Sequence, residues 1–174
     1  MKHVNWIRLA GGKSDMLNEE QVKIREQIVA EYETELEKLE RYLPWLEQKT
    51  AKDQQKYYEG DENHSVIPVP VYDSTLLAFI KEAKKTKFMN MNYPYIYRRY
   101  RLKTAEDERK AIANAKIQNM DLLGGILSRY VMQGQTKGRV WTDGLTERIY
   151  VDIILKMNKL FYDHSDNTEK LIRK

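Results

Sequence analysis

Apolar residues recur every three or four positions along most of this chain, a spacing that puts them on one face of successive helices. The longest stripe begins at Asn18 and carries Val22, Val29, Tyr32, Leu36, Leu39, Leu43 and Leu46. Ser14 or Asn18 suits its N-cap, and Glu19 and Glu20 follow in the first turn, where negative charge meets the positive end of the helix dipole. Pro44 lacks the N–H of an intrahelical bond, so it breaks or bends this helix and opens a short second one, predicted to reach about Tyr58.

A polar loop over residues 60–65 leads to Val66-Ile67-Pro68-Val69-Pro70-Val71-Tyr72, where two prolines forbid helix and allow only an edge strand or an extended linker. Asp73 or Ser74 then caps a helix predicted to run to about Phe88, burying Leu76, Leu77, Phe79, Ile80 and Ala83. Asn92-Tyr93-Pro94 signals a turn before an aromatic stretch, and Thr104 with Asp107 resembles a capping box for a helix to about Ala115. Another helix carries Leu122, Leu123, Ile126, Leu127, Tyr130 and Val131, with Gly134 suited to a left-handed terminator. A last helix from about Thr142 carries Leu145, Ile149, Ile153, Ile154, Met157, Leu160 and Phe161. The expected fold is mainly α, a single-domain bundle of five to seven helices with one short extended edge segment. Residues 1–60 form its N-terminal helix pair, 61–74 the extended linker, 75–162 the C-terminal helical core and 163–174 a flexible tail.

Composition narrows the chemistry. With 174 residues and 41% hydrophobic side chains the chain can bury one core. The absence of Cys excludes disulfides, thiolate metal sites and cysteine nucleophiles. Apolar runs such as residues 76–80 are far too short to span a membrane, and Asn5 and Arg8 interrupt the apolar region that a secretion signal needs, so a cytoplasmic location is expected.

No catalytic constellation emerges. Gly11-Gly12-Lys13-Ser14 ends like a phosphate-binding loop, but Ile7 stands where that loop needs its first glycine. Glu31 with Glu35, and Glu33 with Glu37, lie one turn apart, yet His3, His64 and His164 are too scattered in sequence to complete a metal set. The expectation is a protein without enzymatic activity, cofactor or metal.

Residues 81–103 are more informative. Lys81, Lys84, Lys85, Lys87, Arg98, Arg99, Arg101 and Lys103 stand against Glu82 alone, a local +7, and Tyr93, Tyr95, Tyr97 and Tyr100 are interleaved with them. Such a surface attracts phosphate and offers rings for stacking or for anchoring a protein partner. A competing reading is internal: residues 19–62 hold 13 acids and 7 bases, and the basic stretch can dock on them. A polar, glycine-bearing connection over residues 133–144 adds Lys137, Arg139 and Trp141, which suit either an anion or closure of the bundle. The candidate binding residues are therefore Lys84, Lys85, Lys87, Tyr93, Tyr95, Tyr97, Arg98, Arg99, Arg101, Lys103, Lys137, Arg139 and Trp141.

Tyr72 ahead of Leu76-Leu77-Ala78-Phe79-Ile80, then Asn92-Tyr93, then residues 127–141 leading into 149–160, resemble a family of small helical bacterial proteins of unknown function. The resemblance covers about residues 66–162. It implies an accessory protein of phages, plasmids or conjugative elements of Firmicutes, most concretely an anti-defence inhibitor, of anti-CRISPR or anti-restriction type, engaging a host nuclease or a nucleic-acid–protein complex. A DNA-binding accessory or regulatory protein of such an element is the alternative.

Overall fold

The computed structural model describes residues 19–48, 55–58 and 69–162. Helix α1 (Glu19–Glu40) places Glu19 and Glu20 in its first turn and directs the later part of its stripe inward. Leu36 and Leu39 are buried, Ile28, Val29 and Tyr32 pack on the core, and Val22 stays exposed. The caps expected at Ser14 and Asn18 lie outside the described residues, as do the loop at 60–65 and the tail from 163. Pro44 is the second residue of α2 (Leu43–Gln48), where its missing N–H removes no helical bond.

The second helix ends at Gln48, not Tyr58. Residues expected to continue it instead form β1 (Gln55–Tyr58), antiparallel to β2 (Val69–Tyr72), with Tyr57 opposite Pro70. Both strands of a two-stranded ribbon are edges, where proline is tolerated.

Helix α3 (Ser74–Ala83) is capped by Asp73, whose carboxylate accepts from the Thr75 N–H at 2.7 Å. It buries Leu76, Phe79, Ile80 and Ala83, while Leu77, expected in the core, faces solvent. The helix stops five residues short of Phe88, and the Thr86 hydroxyl donates to the Ala83 carbonyl at 2.7 Å in the turn that follows. Helix α4 (Tyr93–Arg99) carries Pro94 in its first turn. It closes with two bonds, Arg101 N–H to Arg98 O at 3.2 Å and Leu102 N–H to Tyr97 O at 2.9 Å. This is the Schellman pattern, with Arg101 at φ 55° in the position usually given to glycine. Helix α5 (Ala105–Asn114) opens on the expected capping box, with Thr104 and Asp107 bonding each other's backbone N–H.

A short 3₁₀ turn over 117–119 leads into α6 (Met120–Gln133), which is buried almost along its whole length. Gly124 and Gly125 stand in its middle. A Cβ at Gly124 would lie 2.5 Å from the Phe88 carbonyl oxygen, and one at Gly125 2.8 Å from the Ile96 side chain. The glycine pair therefore admits the turn at 86–90 and helix α4 to direct contact with α6.

Gly134 corrects an expectation. It is right-handed, at φ −62° and ψ −20°, and glycine is required because a Cβ there would meet the Trp141 ring at 2.0 Å. The single last helix is also two, α7 (Arg139–Thr146) and α8 (Ile149–Tyr162), because Arg148 adopts φ 57° between them. Rings in edge contact run from Tyr42 to Phe79, then Tyr150, then Tyr130, and cross the core from the turn before α2 to α6. Among the described residues, no helix is long and apolar enough to cross a membrane.

Candidate functional site

Where α4, α5 and α6 meet, Glu108 on α5 is only 1% exposed. An isolated buried carboxylate is costly, and this one is compensated by three donors. Tyr97 Oη and Arg129 Nη1 donate to Oε1, each at 2.6 Å, and Tyr130 Oη donates to Oε2 at 2.6 Å. The Arg129 guanidinium also lies over the rings of Tyr97 and Tyr130, 5.3 and 5.0 Å from their centroids. Burial first, and the neighbouring Glu108 carboxylate second, hold both phenols above the ordinary tyrosine value.

This network forms one wall of a solvent-open cleft of about 420 Å³, lined by Tyr93, Pro94, Tyr97 and Arg98 of α4 and by Arg129 and Gln133 of α6. Helix α4 runs antiparallel to α6, with Arg99 3.4 Å from Asp121 at one end and Tyr93 beside Gln133 at the other. Three sequence candidates, Tyr93, Tyr97 and Arg98, thus converge here. Glu108, Arg129, Tyr130 and Gln133 were not among the candidates. Glu108 follows Glu106 and Asp107 in the first turn of α5, where a run of acids reads as ordinary helix-end charge.

The remaining basic candidates divide. Lys84, Lys85, Lys87, Arg101 and Lys103 are exposed and form no ion pair with a described residue, and the same holds for Arg98. Arg99 pairs with Asp121 and stacks on Tyr100 at 5.4 Å. The acidic helix α1 meets this stretch through a backbone contact, Lys87 N–H to Glu35 Oε2 at 3.4 Å, while Glu35 pairs with Lys38 at 2.9 Å. Tyr95 is 48% exposed and Met91 80%, so apolar surface stands among the cations.

The 133–144 connection is mostly engaged in the fold. Trp141 packs on Gly134, meets the Tyr72 ring edge-on at 5.4 Å and donates its indole N–H to the Val131 carbonyl at 3.1 Å. Arg139 lies 3.6 Å from Asp143, and Lys137 is exposed. Among the described residues no three His, Asp or Glu side chains are placed to share a metal; His3, His64, His164 and the Gly11–Ser14 segment lie outside them. Comparison with protein-family models, curated proteins and solved structures gave no match.

Proposed function

We propose that this chain is a non-enzymatic helical binding protein of a mobile genetic element, which engages a nucleic-acid-bound host nuclease through its basic, tyrosine-bearing surface. One observation carries the reading: Lys84, Lys85, Lys87, Arg98, Arg101 and Lys103 are exposed without an ion pair among the described residues, although an acid-rich helix lies close by. Exposed cations without an ion pair among the described residues favour an external anionic partner over internal docking. Rim charges of this kind steer encounter, while half-exposed rings such as Tyr93 and Tyr95 supply anchoring area. Arg101 adds support, because a non-glycine residue held at φ 55° keeps a cation at the surface against its backbone preference.

Capture from an extract of the host, with the wild-type chain and with Lys84→Glu/Lys85→Glu/Arg101→Glu, tests the reading. The expected result is a nuclease with its nucleic acid retained by the wild type and lost by the variant, at an unchanged melting temperature. Equal capture overturns it. Steeply salt-dependent binding of bare duplex DNA by the purified chain establishes the accessory DNA-binding role instead.

A further inference from the structure

The cleft between α4 and α6 holds three side chains of different chemistry that make no hydrogen bond, ion pair or ring contact with a described residue: the Tyr93 ring, the Arg98 guanidinium and the Gln133 carboxamide. Beside them, one turn along the same two helices, Tyr97 and Arg129 are fixed by Glu108. Each wall of the cleft thus sets a fixed group next to groups without a partner among the described residues: the Tyr93 ring and Arg98 cation on α4, the Gln133 amide on α6. We propose that this cleft receives one unpaired base of a single-stranded nucleic acid, with Tyr93 stacking on the base, Gln133 bonding its edge and Arg98 meeting the adjoining phosphate. This deepens the function proposed above and rests on it for the surrounding basic surface.

A nucleotide presents a π-face, an edge of donors and acceptors, and a phosphate, and each has a counterpart here. An acidic peptide such as polyglutamate would use the cation and the amide but has no flat aromatic face for Tyr93 to stack on. A base inside a duplex shows no free face, so single strands are selected. The cleft's volume of about 420 Å³ lies at the lower end of the roughly 300–1,000 Å³ of small-molecule pockets, room enough for one base. Lys84, Lys85 and Lys87 are exposed and precede α4 in the chain, a basic stretch close in sequence to the cleft.

The test is fluorescence anisotropy of the full chain with a short labelled oligothymidylate, a duplex of equal length and polyglutamate, together with emission from an oligonucleotide carrying one 2-aminopurine. Wild type is expected to bind the single strand at least about tenfold more tightly than the duplex, and Tyr93→Ala to weaken that binding about tenfold or more. Tyr93→Phe should retain affinity and the 2-aminopurine change, which Tyr93→Ala should lose with an unaltered salt slope, whereas Arg98→Gln should lower that slope by about 0.7. Should Tyr93→Ala lower the melting temperature, Gln133→Ala and Arg98→Gln carry the same test. Wild-type affinity in the Tyr93 and Gln133 variants, with loss only in Lys84→Glu/Lys85→Glu, overturns the base pocket and leaves the basic surface standing. Binding of polyglutamate but of no oligonucleotide overturns the pocket and assigns the surface to an acidic protein. Indifference of every ligand to both sets of variants removes both proposals.

Discussion

Arg129 on α6 and Glu108 on α5 are joined at 2.6 Å, and the arginine belongs at once to the buried carboxylate's shell and to the wall of an open cleft. Packing inside the protein therefore fixes the geometry of its surface. Breaking a buried charge pair from one side strands the partner, at about 3–5 kcal/mol, and the lower end suits an arginine that is a third exposed. Glu108→Gln should thus destabilise by about 3 kcal/mol in denaturant titration, while Tyr97→Phe and Tyr130→Phe should each cost about 1.5–3 kcal/mol as charge-assisted bonds. A Glu108→Gln variant as stable as wild type would refute the network's structural role.

Glycine packing makes a second prediction. Alanine normally stabilises a helix interior by about 1 kcal/mol over glycine. At Gly124 the added methyl would meet a backbone oxygen at 2.5 Å, which cannot move without displacing the Phe88 turn. Overpacking of about 1–3 kcal/mol should outweigh the propensity gain, so Gly124→Ala is expected to lower the melting temperature by several degrees. A raised melting temperature would show that the turn at 86–90 yields freely.

Arg101 separates stability from binding. Left-handed backbone costs a non-glycine residue about 1 kcal/mol, and Arg101 is exposed, so Arg101→Gly should stabilise by up to that amount. The same change removes from the proposed surface a cation that has no ion pair among the described residues. Higher melting temperature with weaker single-strand binding is expected, and unchanged binding would remove Arg101 from the interface.

Alkaline pH should reveal the buried phenols. Tyr97, Tyr130 and Tyr150 are held above the ordinary value, chiefly by burial. A raised folded-state pKa means that the unfolded chain loses these protons first. The stability they contribute is full below about pH 10 and falls as pH rises above it. Melting curves across that range, with phenolate absorbance alongside, should show these tyrosines ionising together with unfolding. Ionisation well before unfolding would contradict their burial.

Caps and most of the apolar stripes were legible because their causes are local, although Leu77 and Val22 keep helical spacing and face solvent. Asp73, the Thr104–Asp107 box and the apolar stripes of α1, α6 and α8 each act within a few residues of themselves. Strand β1 was hidden because Gln-Lys-Tyr-Tyr is extended only through its pairing with 69–72. The break at Arg148 was hidden because Leu145 and Ile149 keep helical spacing across it, and no glycine marks the left-handed residue. In the site, Tyr93 and Arg98 stood out by composition, whereas Glu108 acquires its meaning from Arg129 and Tyr130, 21 and 22 residues away.

The glycine pair in α6 has a consequence for how the molecule holds together. A fourteen-residue helix is marginal alone in water, and two central glycines weaken it by about 1 kcal/mol each. Helix α6 thus owes its order to the elements laid against it, and the turn at 86–90 and α4 owe their seat to the same missing side chains. These segments are therefore expected to form and melt as one cooperative unit, with matching amide-exchange protection. A guest seated between α4 and α6 would clamp two members of that unit together, so its binding free energy would appear as resistance of the whole chain to unfolding.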